Sequence, residues 1–205
     1  MKQDMSRSSS IKKTCNVAIF VSGSGTNCEN IIRYFKDSPF VNISLVLSNK
    51  PDAYALVRAE ALQVPTTVMP KAIFNDDGEL MKTLNDYQID FIILAGFLLM
   101  IPDFLILAYP QRIINIHPAL LPKFGGKGMY GHHVHEAVKA AGETETGFTV
   151  HWVNGECDGG EIITQYRISL LSSDSVDDIA EKEHLLEMKY FPMVIERVIE
   201  QIDMV

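Results

Sequence analysis

Residues 15–27, CNVAIFVSGSGTN, decide the fold class. The first seven are short, apolar and rich in β-branched side chains, which predicts a buried strand from Cys15 to Val21. A Gly-rich turn from Ser22 to Asn27 follows, and an amphipathic helix is predicted from there to about Lys36. A strand that passes through a glycine turn into a helix is typical of the first half of a βαβ unit.

The rest of the chain continues this alternation of strands and helices. Further strands are predicted at Ile43 to Ser48, Thr66 to Val68, Phe91 to Leu94, Arg112 to Ile116, Thr146 to Val153 and Ile162 to Ser169. Further helices are predicted at Ala53 to Leu62, Glu79 to Tyr87 and His133 to Ala141, with a mobile Gly-rich loop from Pro122 to Gly131. A last helix, capped by Ser175 and Asp178, extends toward Gln201 and is expected to kink or split near Pro192. The expected fold is α/β, with a doubly wound, mostly parallel sheet and helices on both faces.

The composition is that of an ordinary globular protein. The chain has 205 residues, 47% of them hydrophobic, and a formal net charge of -8. Residues 1–13 are polar and Ser-rich, so a flexible N-terminal tail is expected there, with residues 14–205 forming a single domain. The acidic balance argues against a nucleic-acid partner, because phosphate backbones need a basic face. The cysteines show no paired spacing, which favours a reducing, cytoplasmic location. The apolar runs are too short for a membrane span, so no membrane partner is expected.

The turn from Ser22 to Asn27 is a candidate anion site. Backbone N–H groups at a helix N-terminus carry partial positive charge, and glycines let an anion approach closely. Ser24, Thr26 and Asn27 add side-chain donors. The turn lacks the third glycine of a dinucleotide fingerprint and the Gly-Lys-Ser/Thr of a Walker loop. The alternative is a plain strand-to-helix turn capped by Thr26 or Asn27.

Residues 115–118, NIHP, end a predicted parallel strand at the edge where open α/β sheets place ligands. Alternate side chains of a strand share a face, so Asn115 and His117 point the same way. An amide can hydrogen-bond a developing oxyanion, and an imidazole can move a proton near neutral pH. Asp158, which precedes two glycines, is either a simple turn residue or a carboxylate that reaches His117. His117 could equally be a structural strand-end histidine.

Three further features have weaker patterns. His132, His133 and His135 lack the i, i+4 histidine pair and the carboxylate pattern of a helical zinc motif, so no metal is expected. His151 lies on a predicted strand and is interpreted as a satisfied strand histidine. The apolar run at residues 98–101 is either core or a flat wall for a planar ring.

Five stretches together resemble the glycinamide ribonucleotide formyltransferase family, the folate-dependent enzymes of purine biosynthesis. These stretches are 22–27 (SGSGTN), 48–50 (SNK), 94–97 (LAGF), 115–123 (NIHPALLPK) and 158–160 (DGG). They follow the family's order and span nearly the whole chain, and NIHP running into LLPK with a later DGG is specific to folate formyl-transfer domains. The resemblance implies a Rossmann-like formyltransferase fold. It also implies transfer of a formyl group from 10-formyltetrahydrofolate, a co-substrate, to the amine of 5-phosphoribosylglycinamide in de novo purine (IMP) biosynthesis, without a metal.

The resemblance also implies residue roles. His117 would donate a proton, Asn115 would hold the formyl oxygen, and Asp158 would raise the pKa of His117 and keep it charged. The ribonucleotide would be bound by Gly23, Ser24, Gly25, Thr26, Asn27 and Glu187. The folate would be bound by Leu98, Leu99, Met100, Ile101, Asn115, Asn154, Gly155, Glu156, Cys157 and Asp158. Small molecules are the expected partners, and the protein would be a monomer or a homodimer.

The chain departs from the family where Leu99 stands at a position that is often arginine. Residues 74–77 also offer no arginine for the folate tail, for which Lys71 is a possible substitute.

Two rival enzymes share this kind of site. Formyltetrahydrofolate deformylase carries an additional N-terminal domain and methionyl-tRNA formyltransferase an additional C-terminal domain. From the length of the chain we expect neither enzyme. A non-catalytic nucleotide-binding module is the remaining alternative, although it would have no need to keep Asn115, His117 and Asp158 together.

Overall fold

The computed structural model describes residues 13–202. Its strands are β1 (Cys15–Val21), β2 (Val41–Ser48), β3 (Thr66–Val68), β4 (Phe91–Leu94), β5 (Ile113–His117), β6 (Glu145–Trp152) and β7 (Ile162–Ser169). Its helices are α1 (Thr26–Phe35), α2 (Tyr54–Ala61), α3 (Lys71–Phe74), α4 (Asp77–Asp86), α5 (Asp103–Ala108), α6 (His132–Ala140) and α7 (Val176–Ile202). The predicted tail lies outside the described residues apart from Lys13, and the division into a tail and one domain stays a prediction.

Within the described residues the seven strands form one sheet in the order β3-β2-β1-β4-β5-β6-β7. β1 pairs in parallel with β2 and β4, and the parallel pairing extends outward to β3 on one side and β5 on the other. The last two strands are antiparallel, β6 against β5 and β7 against β6. The chain therefore winds outward in both directions from β1 and β4, which confirms the predicted doubly wound, mostly parallel sheet.

β1 shows why helices cover both faces of the sheet. Its alternate residues Val17, Ile19 and Val21 pack into the core that contains α1, α2 and α7. Ala18 and Phe20 pack into the opposite core, under α3, α4 and α5. All five residues are fully buried. A strand that is buried on both faces has an almost continuous apolar sequence, as residues 15–21 do.

The carboxyl ends of β1 and β4 form the topological switch point, where open α/β sheets bind ligands. Two hydrogen bonds hold the loops together there. The amide of Ser22 donates to the carbonyl of Gly96 at 3.0 Å, and the amide of Leu98 donates to Oγ of Ser22 at 2.9 Å. β5 ends alongside β4, with Asn115 opposite Leu94. The Gly-rich turn, the loop after β4 and the end of β5 therefore open on one edge of the sheet.

The sequence prediction missed two short helices. α3 and α5 each begin directly after a proline, Pro70 and Pro102. Because they contain only four and six residues, neither is long enough to show a helical period in the sequence.

The last helix, α7, is continuous across Pro192, so the predicted split is wrong. Pro192 is buried together with its neighbour Phe191, and this packing offsets the loss of the backbone hydrogen bond that a proline cannot donate. The predicted cap is confirmed: the amide of Asp178 donates to Oγ of Ser175 at 3.1 Å, and the amide of Ser175 donates to the Asp178 carboxylate at 2.8 Å.

None of the helices between residues 13 and 202 combines the length and the apolar character needed to cross a lipid bilayer.

Candidate active site

Three side chains that the sequence grouped together meet at the carboxyl edge of β5. Nδ1 of His117 lies 3.4 Å from Oδ2 of Asp158. Nδ2 of Asn115 lies 3.4 Å from Oδ1 of the same carboxylate. Asp158 sits in the turn between β6 and β7 with a φ of 54°, a left-handed conformation that aspartate adopts more readily than most residues. The turn therefore aims its carboxylate at the end of β5.

His151 also belongs to this cluster, although the sequence indicated only a satisfied strand histidine. The antiparallel register of β5 and β6 places it opposite Asn115, with its Nε2 at 3.0 Å from Nδ2 of the amide. Its Nδ1 lies 2.8 Å from the carbonyl of Trp152, so Nδ1 carries the proton and Nε2 accepts from Asn115. His151 thereby orients the Asn115 amide. The signal was missed because the register of the two strands is not readable from the sequence.

Asp158 is the negative charge of the site. Burial raises the pKa of its carboxyl, but the side chain of His151, the charge of His117 and the amide of Gly126 lower it more. The net pKa therefore lies below the ordinary aspartate value. The Gly126 amide donates to Oδ2 at 2.9 Å. Asp158 is consequently ionised at neutral pH.

His117 is 3% exposed, and burial lowers the pKa of its imidazole. The Asp158 carboxylate and the Phe124 carbonyl both raise this pKa but do not outweigh burial. Asp158 thus acts in the predicted direction, and the expectation that it keeps His117 charged stays a prediction. An imidazole can take up and release a proton near neutral pH.

The loop between β5 and α6 covers the cluster. The carbonyl oxygen of Phe124 lies 2.8 Å from Nε2 of His117, and the Gly126 amide binds Asp158. Phe124 and Gly126 both have positive φ angles, 55° and 90°. Two backbone groups of one tight loop therefore contact the imidazole and the carboxylate at the same time.

The Gly-rich turn leaves the N-terminus of α1 open. Gly25 is the residue that precedes the helix, with a φ of 75°, and no side chain caps it. The alternative of a turn capped by Thr26 or Asn27 is therefore wrong. A Cβ atom at Gly25 would overlap Ala55 of α2, so the packing of α2 requires glycine there. A Cβ atom at Gly23 would meet no described atom within 4 Å, so space exists for a ligand beside the turn.

Glu187 of α7 connects this turn with the end of β5. Its Oε2 accepts a hydrogen bond of 2.8 Å from Nδ2 of Asn27, and the residue is 8% exposed. The charge of Glu187 also raises the pKa of His117, so it lies within electrostatic reach of that imidazole. The predicted ribonucleotide residues and the NIHP cluster are therefore neighbours in the fold.

The loop after β4 offers an apolar surface at the same edge. Leu98 and Met100 are 47% and 52% exposed, Leu99 is half-buried and Ile101 is buried. Exposed apolar side chains beside polar groups suit a planar ring. Lys71, the possible substitute for a missing arginine, is exposed at the start of α3.

The turn at residues 154–158 is the other predicted folate segment. The Asn154 side chain organises it: Oδ1 accepts from the amide of Glu156 at 2.9 Å, and Nδ2 donates to the carbonyl of Gly159 at 3.2 Å. Gly155, Glu156 and Cys157 are exposed. The turn therefore fixes Asp158 from one side, while residues 155–157 are open to solvent.

The three histidines of the α6 region do not converge. His132 faces Asp177 at 3.3 Å, and His133 faces Glu136 at 3.2 Å. His135 is buried and faces α7 instead. Between residues 13 and 202, no three His, Cys, Asp or Glu side chains are placed to hold a metal ion.

Comparison with known proteins agrees with this arrangement. Residues 15–195 match the family model described as formyl transferase. The chain belongs to the formyl transferase family. It is 39% identical to the chloroplastic phosphoribosylglycinamide formyltransferase of Arabidopsis thaliana, over 90% of this chain and 65% of that one. It is 36% identical to the phosphoribosylglycinamide formyltransferase of Haemophilus influenzae, over 87% of this chain and 84% of that one. The chain therefore spans just under two thirds of the plant relative and most of the bacterial one.

Solved formyl transferase structures share the fold. The phosphoribosylglycinamide formyltransferase of Anaplasma phagocytophilum superposes with a TM-score of 0.82 at 31% identity, over 92% of this chain and 89% of that one. Glycinamide ribonucleotide transformylase 1 of Symbiobacterium toebii gives a TM-score of 0.83 at 30% identity, with the same coverage. These likenesses confirm the Rossmann-like formyltransferase fold predicted from the sequence.

Proposed function

We propose that this protein transfers a formyl group from 10-formyltetrahydrofolate to the amine of 5-phosphoribosylglycinamide, a step of de novo purine biosynthesis. The observation that carries the proposal is the position of Asn115, His117 and Asp158. They lie at the same carboxyl edge of the sheet as the Gly-rich turn, with Glu187 beside it, and the loop after β4. Relatives named phosphoribosylglycinamide formyltransferase, at 34% to 39% identity, support it.

The ribonucleotide would be bound by the turn and by α7. The uncapped N-terminus of α1 offers the amides of Gly25, Thr26 and Asn27 to the phosphate, and helix N-termini favour anions. Glu187 would accept hydrogen bonds from ribose hydroxyl groups, because an ionised carboxylate has only acceptor atoms. Binding both ends of the ribonucleotide would direct its amine toward β5.

The folate would be bound by the loop after β4 and by the turn at residues 154–158. The residues present fit such a group: Leu98 and Met100 expose apolar side chains, and the turn presents backbone groups for a polar ring edge. The folate supplies the formyl group that is transferred. Asn115 lies at the end of β5 beside Asp158 of that turn, where the formyl carbon would be exposed to the amine.

The side chains of the cluster can assist each part of the exchange. The amine nitrogen forms a bond to the formyl carbon, the bond from that carbon to the folate nitrogen breaks, and one proton moves from the amine to the folate nitrogen. Nδ2 of Asn115 would donate to the formyl oxygen as negative charge develops on it. His117 would carry the proton, since an imidazole can take up and release a proton near neutral pH. Asp158 would hold the imidazole in position and stabilise its charged form while the proton is in transit.

A formyltetrahydrofolate deformylase-like hydrolase would use the same residues with water as the acceptor, and a non-catalytic nucleotide-binding module would release no folate. The test is formyl transfer followed by the absorbance of the released tetrahydrofolate, with the ribonucleotide offered against water alone. Release that depends on the ribonucleotide supports the proposal. Equal release without it indicates hydrolysis, and no release in either case indicates a binding protein. A cytoplasmic location and a monomeric or homodimeric state stay predictions.

A further inference from the structure

A buried polar cluster joins α6 to α7 behind Glu187. His135 of α6 is 7% exposed and Glu183 of α7 is 2% exposed, with Nε2 of the imidazole 3.6 Å from Oε2 of the carboxyl. Glu183 precedes Glu187 by four residues, so the two side chains are neighbours on one face of the helix. Two carboxyl groups are thus buried one turn apart. The roles argued above involve only the second of them.

The unpaired atoms of this cluster indicate its protonation state. Oε1 of Glu183 is buried and has no hydrogen-bond partner among the described residues, and the same holds for Nδ1 of His135. An ionised carboxylate has only acceptor atoms, so a buried oxygen without a donor is costly in that form. A neutral carboxylic acid carries an O–H group instead, and this group can donate to a neighbouring carboxylate.

The electrostatics of the neighbours agree with a neutral Glu183. Burial raises the pKa of Glu183 well above its ordinary value, and the neighbouring Glu187 raises it further. Burial also lowers the pKa of His135, and the charge of His132 lowers it again, against an opposite effect of Glu187. His135 therefore does not supply the positive charge that an ionised Glu183 would need. The raised pKa of Glu183 is therefore not offset by a positive charge on His135.

Resting on the proposed function, we propose that Glu183 is a positioning residue for the ribonucleotide. As a neutral carboxylic acid it donates a hydrogen bond to Glu187 and holds that carboxylate against Asn27, where the ribose binds. Once ionised, Glu183 would repel Glu187 and leave it without its donor, so the bond from Asn27 at 2.8 Å would be strained or lost. Ribonucleotide binding then weakens as the solution becomes alkaline.

Other titratable groups face this pair. Nδ1 of His184 in α7 lies 3.9 Å from Oε2 of Glu187, and this carboxyl raises the pKa of that imidazole. His132 packs edge-on against His135 on α6. The charge of Glu187 also raises the pKa of His117 in β5. The phosphate and amine of the ribonucleotide also titrate. The experiment therefore compares variants over the same pH series, in which these groups are common to all.

Three variants separate the proposal from a merely structural role. Glu183→Gln has nearly the same shape and keeps an N–H donor at every pH, whereas Glu183→Leu fills the space without a donor. Glu181→Gln changes the charge of an exposed glutamate on the same helix and is the matched control. KM for the ribonucleotide, KM for the folate and kcat are measured from about pH 6 to about pH 9, the range into which buried carboxyl groups move.

The expected results are specific to ribonucleotide binding. Glu183→Leu raises KM for the ribonucleotide about tenfold or more at neutral pH, the usual effect of losing a hydrogen bond to a charged group. It changes kcat and KM for the folate little. In the wild type and in Glu181→Gln, KM for the ribonucleotide rises toward alkaline pH, and in Glu183→Gln this rise is smaller.

Two results would overturn the inference while leaving the proposed function intact. One is an active Glu183→Leu variant with the wild-type KM for the ribonucleotide. The other is an identical alkaline rise in Glu183→Gln and the wild type, which decides the matter even if Glu183→Leu does not fold. Loss of ribonucleotide-dependent activity in the wild type itself would instead remove the proposed function.

Discussion

Nε2 of His151 lies 3.0 Å from Nδ2 of Asn115, on the strand paired with β5. Since Nδ1 of His151 donates to the carbonyl of Trp152, Nε2 is free to accept from the amide and fixes which way the amide points. The oxygen of Asn115 is therefore turned away from His151. One N–H group of Nδ2 thus binds His151, and the other, which lies 3.4 Å from Oδ1 of Asp158, is the donor that we expect to turn to a formyl oxygen.

We predict that His151→Phe lowers turnover up to about 10²-fold, because the Asn115 amide is no longer held in one orientation. KM for either substrate changes little. Asn115→Ala is expected to lose about 10²–10³-fold in kcat, the usual effect of removing an oxyanion donor. The two losses should not multiply in the double variant, since His151 acts through Asn115. Steady-state kinetics of the four proteins make this cycle, and fully multiplicative losses would refute the positioning role.

We predict that His117→Ala loses about 10²–10⁴-fold in turnover, the range of general acid–base assistance, with a modest change in ribonucleotide affinity. His117 touches neither the Gly-rich turn nor Asn27, so binding should survive. Kinetics combined with calorimetric titration of the ribonucleotide test both parts. A His117→Ala protein with near-wild-type turnover would rule out the proposed role of this imidazole.

Asp158→Asn should lower the pKa of His117 further. The carboxylate, 3.4 Å from Nδ1, is among the groups that raise this pKa against the opposing effect of burial. Removing its charge leaves burial less opposed, so the imidazole protonates at a lower pH than in the wild type. An NMR titration of the His117 ring reports this directly. An unchanged or higher pKa would contradict the electrostatic link between the two residues.

Two glycines of the same turn should respond differently to an added methyl group. Gly25→Ala places a Cβ atom into Ala55 and forces alanine into a φ of 75°, so we expect a loss of at least about 2 kcal/mol in unfolding free energy. Gly23→Ala meets no described atom and should stay within about 0.5 kcal/mol of the wild type. Its KM for the ribonucleotide should nevertheless rise, because the methyl group occupies the space for the phosphate. Urea unfolding and kinetics separate the two effects.

The sequence was sufficient for the sheet and for the residues at its edge. Strand period and glycine turns placed β1 to β5, because buried parallel strands have continuous apolar sequences with turn residues at their ends. The pair Asn115 and His117 followed from the two-residue period of one strand. The contact of Asp158 with His117 rests on tertiary structure and was only one of two open interpretations.

His151 and Glu183 show what the sequence could not give. His151 joins the site only through the register of β5 and β6, and an antiparallel register depends on how the whole sheet packs. Glu183 looks like any charged residue of an amphipathic helix. Its burial against His135 depends on how α6 crosses α7, which no local pattern encodes. The effect of burial on the pKa of His117 was also missed, because burial is a property of the folded chain.

Glu183 should also affect stability in a pH-dependent way. Its pKa is raised in the folded protein, so above the ordinary glutamate value the folded state binds more protons than the unfolded state. The unfolding free energy contributed by this group therefore falls as the pH rises toward the folded pKa. Glu183→Gln removes the titration, so the variant should gain stability relative to the wild type as the pH increases, with the smallest difference in acid. Urea unfolding over a pH series measures this, with the exposed Glu181→Gln as the control. Parallel pH profiles for Glu183→Gln and the wild type would show that Glu183 is ionised in the folded protein, and the neutral acid on which the positioning of Glu187 depends would be excluded.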